Sequence, residues 1–230
     1  MQYFTGTVLV DNSKMKIVKI TGIHAGDFGD GYEANYVGTE IDASIGPIRN
    51  YSHEISETDF NTVLEYYAKR FSESTAHATV LHNAIKSNTN LSDISIGNFA
   101  VSFGGELVKI TSEERNFWYY DIVGSDKNSY RSKSSGDIKP ANTENLNIAM
   151  TRNVKEATQE REKITGLRDY VTTERPDVKL DPDTIRQIKT TALAFGKITS
   201  EKKPVKPEQI YDESFPTVRT TRNPKPVKLK

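Results

Sequence analysis

The chain has 230 residues, no cysteine and equal numbers of basic and acidic side chains, 31 of each. The length suits one good domain or two small ones, and the missing thiols exclude disulfides, thiolate metal sites and a cysteine nucleophile. A hydrophobic share of 35%, with no uninterrupted apolar run near the ~18 residues of a membrane span, predicts no transmembrane helix and a chain part of which builds no core of its own.

Net neutrality hides an asymmetry. Residues 1–125 hold 9 Lys and Arg against 16 Asp and Glu, which leaves 22 against 15 for residues 126–230. Of 21 aromatic residues 16 precede residue 126, and of 9 prolines 8 follow it. Aromatic rings supply core area, whereas proline and solvated charge oppose compaction. The composition therefore predicts four stretches. They are an acidic α+β domain over 1–124, a polar linker over 125–140, a weakly helical segment over 141–199 and an extended basic tail over 200–230. The linker expectation rests on the serine-rich run from Ser125 to Gly136.

In chain order, Tyr3 to Val10 is rich in threonine and β-branched residues. Met15 to Ile20 alternates lysine with isoleucine and valine, and Asp11-Asn12-Ser13 between them is turn chemistry. A hairpin is expected, with a weaker third strand from Tyr32 to Ile41. Between them lies Gly22-Ile23-His24-Ala25-Gly26-Asp27-Phe28-Gly29-Asp30-Gly31, whose spacing matches no phosphate-binding fingerprint. It reads as a long hairpin loop. Asp27-Phe28-Gly29 lacks the catalytic loop that would make it a kinase tripeptide, and Asp27 with Asp30 supplies too few oxygens for calcium.

Ser56-Glu57-Thr58-Asp59 is a capping box, and Phe60, Leu64, Tyr67, Phe71, Ala78, Leu81 and Ile85 follow at 4-3 spacing. This predicts one long helix, or two if the small-residue patch from Ser72 to Thr79 divides it. His77 and His82 lie five apart, which turns them about 140° away from each other and prevents a shared metal. His24 and His53 have no local partner. Strands are then expected at Ile94–Phe103, Glu106–Thr111 and Asn116–Val123, with Gly104-Gly105 making the first turn. The sum is an α+β domain, a mostly antiparallel sheet with one long helix packed on it, followed by an extended arm with two short helices.

In that arm Asp181-Pro182-Asp183 is a strong helix start and Gly196 a stop, with Ile185, Ile188, Ala192 and Phe195 between them. A second helix is expected from about Asn153 to Thr165, ending at Gly166. Such short helices are unstable alone in water, so each stripe needs a partner surface. Beyond Ser200, Tyr211, Phe215 and Val218 stand as apolar pegs between prolines and lysines. Ile185, Ile188, Phe195, Tyr211, Phe215 and Val218 are thus the expected partner-binding residues of the arm. Lys202, Lys203, Arg219, Arg222, Lys225 and Lys228 are the expected phosphate contacts if the arm meets nucleic acid.

No serine elbow, paired-carboxylate setting or metal-ligand spacing is present, so neither catalysis nor a cofactor is expected. The N-terminus lacks the basic-then-apolar pattern of a secretory signal, which predicts a cytoplasmic or virion location. The expected role is structural: a compact domain that docks, with an arm threaded across neighbouring subunits, copies of itself included. By analogy of build this suits a virion or phage-particle component. The alternative is a nucleic-acid-binding accessory protein that uses the basic arm. No membrane partner is expected.

Overall fold

The computed structural model describes residues 4–11, 15–26, 29–37, 51–87 and 89–200, with the backbone alone for 24–26, 29–33, 35 and 51–54. These form a mixed α+β fold of two antiparallel sheets and three helices. The strands are β1 (Val8–Asp11), β2 (Lys16–Gly26), β3 (Gly29–Tyr36), β4 (Tyr51–Glu54), β5 (Phe99–Ser102), β6 (Leu107–Glu113), β7 (Phe117–Ile122), β8 (Asn128–Ser132) and β9 (Ile138–Pro140). The helices are α1 (Glu57–Lys86), α2 (Thr143–Glu174) and α3 (Pro182–Ser200). One sheet runs β3-β2-β1-β4 and the other β8-β7-β6-β5-β9.

The predicted hairpin forms, with Leu9 opposite Val18 and Val10 opposite Ile17. The glycine-rich stretch differs from expectation. β2 and β3 stay paired through Ile23↔Tyr32 out to Gly26↔Gly29, so it is a ladder rather than a loop. Backbone pairing needs no particular side chain, so a glycine-rich segment can carry a ladder despite the entropy that glycine loses on ordering.

α1 is unbroken over 30 residues, ~45 Å at 1.5 Å per residue. Ser56 Oγ accepts the Asp59 amide at 3.2 Å while Asp59 Oδ2 accepts the Ser56 amide at 2.8 Å, the predicted capping box. Phe60, Leu64, Phe71, Ala78 and Leu81 are fully buried. The small-residue patch does not divide the helix, because Thr75 and Ala78 sit inside the core where bulk is not needed.

The largest departures from the sequence reading lie after Gly124. The expected linker contributes two strands: Tyr130 of β8 pairs with Tyr119 of β7, and Lys139 of β9 pairs with Val101 of β5. A serine-rich strand is legible only through its partner, since the ladder uses main-chain groups. The expected short helix at 153–165 is a 32-residue helix that passes straight through Gly166. Its buried residues Leu146, Met150, Asn153, Ala157, Glu160, Ile164, Leu167 and Val171 keep 4-3 spacing, with small or polar side chains where bulk was looked for.

α2 runs antiparallel to α1. Phe60, at the start of α1, stacks on Tyr170 near the end of α2 at 5.9 Å. Ala78 and Leu81, late in α1, share a cluster with Leu146 and Met150, early in α2. α3 returns parallel to α1. Asn61 brackets the approach to α3, its side chain donating to the Lys179 carbonyl at 2.9 Å and accepting the Asp181 amide at 2.8 Å. Glu57 accepts the Lys179 amide. Phe195 meets Phe71 edge-on at 5.6 Å. The helical layer is therefore one unit that joins both sheets. The first sheet's Val10 and Ile17, with Val37 just after β3, pack against the N-terminal half of α1, and the second sheet's Val101 and Leu107 join the cluster around its C-terminal half.

Candidate functional site

Three of the residues expected to bind partners are already occupied. Ile188 and Phe195 are 6% and 4% exposed in the core against α1, and Ile185 is half-buried beside them. The partner surface that their stripe required is this chain's own α1. Tyr211, Phe215, Val218, Lys202, Lys203, Arg219, Arg222, Lys225 and Lys228 lie outside the described residues. Among the described residues no helix is long and apolar enough to cross a membrane, and no group of three His, Cys, Asp or Glu is placed to hold a metal.

Two features remain that sequence reasoning missed. The first is a groove of about 900 Å³ between the first sheet and the helices, lined among others by Lys16, Tyr36, Tyr67, Lys163 and Gly166. Lys16 and Lys163 each lie over a ring, Tyr36 at 4.3 Å and Tyr67 at 5.4 Å from the centroid. Lys16 also donates to the Tyr36 hydroxyl. Next to the groove Glu160 Oε1 meets Lys163 Nζ at 3.0 Å and Arg70 Nε at 3.3 Å. Its other oxygen is buried with no hydrogen-bond partner. Burial, reinforced by the Glu160 carboxylate, pushes the Tyr67 phenol well above its ordinary pKa, so it stays a neutral donor. The groove mixes charge: Arg161 adds a third cation, while Glu162 and Asp169 oppose it. No single ligand charge is selected.

The second feature is the β8 edge of the five-stranded sheet. Phe117 and Tyr130 meet edge-on at 5.7 Å, and Tyr119 lies 5.8 Å from Tyr130. Tyr130 is 57% exposed although its ring belongs to a three-ring cluster. The Tyr119 hydroxyl donates to the Glu114 carboxylate, which raises that phenol's pKa. The ladder continues outward through Lys133 N–H to Asn116 O and Ile122 N–H to Lys127 O, each at 2.9 Å. Antiparallel alternation then turns the main-chain N–H and C=O of Asn128 and Tyr130 away from β7, toward the open edge. Lys127 and Arg131 are exposed along this strand, and Lys133 crosses to Glu113 and lies 4.6 Å from the Trp118 ring.

Each feature left a trace in the sequence. In the groove it is Glu160 on the buried stripe of a helix. At the edge it is Tyr130, the lone aromatic inside an otherwise polar run. No protein-family model matches this chain, and none of the curated proteins shows significant similarity to it.

Proposed function

We propose that this chain is a non-enzymatic structural or assembly protein of a larger complex, such as a virion or phage particle. Its folded body docks on neighbouring subunits, copies of itself among them, and the chain beyond Ser200 threads across them. The observation that carries this reading is the aromatic face at the β8 edge. Phe117, Tyr119 and Tyr130 present ring surface to solvent beside main-chain groups that have no partner strand among the described residues, and both ring surface and an open ladder are means of protein–protein contact. The body that carries them packs its three helices and both sheets around shared apolar clusters.

Sedimentation of the purified chain over a wide concentration range tests this. The expected result is concentration-dependent association that weakens in the Tyr119→Ser/Tyr130→Ser variant. A strict monomer that instead retards bulk DNA or RNA in a salt-sensitive gel shift reverses the choice. That result would favour the second reading, an accessory protein whose Lys202, Lys203, Arg219, Arg222, Lys225 and Lys228 meet phosphates.

A further inference from the structure

The β8 edge carries its own clue to what fits it. An open strand is a template for another copy of itself unless charge prevents that. Two β8 strands paired antiparallel about Tyr130 would set Lys127 of one opposite Lys133 of the other. A shift of one pair in either direction sets Lys127 opposite Arg131, or Arg131 opposite Arg131. Side chains directly opposite share a face, so all three registers place like charges together. The edge rejects its own copy and favours an extended segment that brings negative charge and aromatic side chains.

This chain contains such a segment. Pro207-Glu208-Gln209-Ile210-Tyr211-Asp212-Glu213-Ser214-Phe215-Pro216 holds three acids and no base within an otherwise basic tail. In an extended conformation Tyr211, Glu213 and Phe215 fall on one face and Glu208 and Asp212 on the other. Those faces match the two faces of β8, where Tyr130 belongs to the aromatic cluster on one side and Arg131 lies on the other. The prolines at both ends lack the N–H that would carry the ladder further, which limits the match to the residues between them. The segment is also within reach. Ile198, near the end of α3, shares an apolar cluster with Leu107 of β6, two strands from β8. The eight steps from Ser200 to Glu208 extend to ~26 Å, against ~10 Å across two strand spacings.

We infer that the β8 edge takes this chain's own acidic segment 207–216 as an added strand, by main-chain pairing at Asn128 and Tyr130 and by charge pairing at Lys127 and Arg131. The inference deepens the assembly reading and rests on it for the source of the segment, which a neighbouring copy supplies when the arm threads. The mode is strand addition, in which the ladder gives affinity and alternate side chains give specificity.

The cysteine-free chain allows a direct test by disulfide trapping in full-length protein. Asn128→Cys, on the Tyr130 face of β8, is combined in turn with Gln209→Cys and Glu213→Cys, which share the Tyr211 face of the segment. Leu193→Cys, 71% exposed on α3, replaces Asn128→Cys as the control. At least one β8 pair should oxidise about tenfold faster than its control, since docking raises the local thiol concentration. Lys127→Glu/Arg131→Glu should abolish that advantage, and adding Glu208→Lys and Asp212→Lys should restore it. Rates equal to the control in every pair, or trapping indifferent to the charge swap, overturn the inference. So does protection of the Asn128 and Tyr130 amides by single-stranded DNA but not by a synthetic 207–216 peptide.

The same gels separate this inference from the reading beneath it. Cross-links between chains uphold both. Cross-links confined to one chain uphold strand addition and contradict threading. Association without trapping leaves the assembly reading intact and removes this one.

Discussion

Phe195 is the residue on which the C-terminal segment turns. Its ring lies edge-on to Phe71 inside a core that also holds Ile188. Phe195→Ala should therefore destabilise the whole fold by about 3–5 kcal/mol, as truncation of a fully packed ring does. Urea unfolding read at α-helical and aromatic wavelengths should give one shifted transition. An unchanged midpoint would mean that α3 is an appendage. Asp181 gives a pH-dependent counterpart. The Thr184 hydroxyl and then the Thr184 amide, each donating at 2.7 Å, hold its carboxyl below the usual range. A depressed folded-state pKa contributes stability that is present above the ordinary carboxylate value and is lost as pH falls through the depressed one. Asp181→Asn should accordingly unfold at lower urea than the parent chain near neutral pH. The two should converge in strong acid, and a difference independent of pH would contradict this.

At the scale of elements the α1–α2 pair carries the main test. Glu160 breaks the apolar stripe of α2 and is 4% exposed, with one oxygen shared by Arg70 and Lys163 and the other unpartnered. Desolvating a carboxylate offsets most of what such pairing contributes. Glu160→Leu should thus leave stability within about 1 kcal/mol of the parent or raise it, while Arg70→Leu/Lys163→Leu should cost about 3 kcal/mol by stranding the buried charge. Comparison of the two variants by chemical denaturation checks the ordering, and the reverse ordering would contradict it. The same pair shows how far the sequence could be read. α1 was legible because its cap and large apolar side chains both lie in a continuous stretch of chain. α2 was legible only in part. Its face toward α1 uses Ala149 and Ala157, where close approach replaces bulk, so a search for large side chains finds few anchors. β8 and β9 were illegible for another reason. Their stability resides in main-chain pairing to β7 and β5, which no local property of Ser129 or Lys139 announces. The β8 edge was hidden with them, since a run taken for a linker offers no edge.

For the whole molecule the composition divides the chain near residue 125, but the fold does not. Residues 126–200 carry excess charge and few aromatic rings, yet they complete the second sheet and supply two of three helices. Long helices reconcile the two facts. An exposed helical face accepts lysine, arginine and glutamate freely, so a helix can bury one stripe while its average composition stays polar. The partner-seeking role that the sequence assigned to everything after residue 125 is thereby confined, in our proposal, to the β8 edge and the chain beyond Ser200. Backbone hydrogen exchange on the isolated chain, dilute enough to be monomeric so that no neighbouring copy covers the edge, tests this division most directly. The account predicts that amides of α2 and α3 are protected together with those of α1, while the Tyr130 amide at the open edge exchanges faster than its neighbours Ser129 and Arg131. Free exchange across residues 143–200, with α1 still protected, would contradict it and return those helices to the arm.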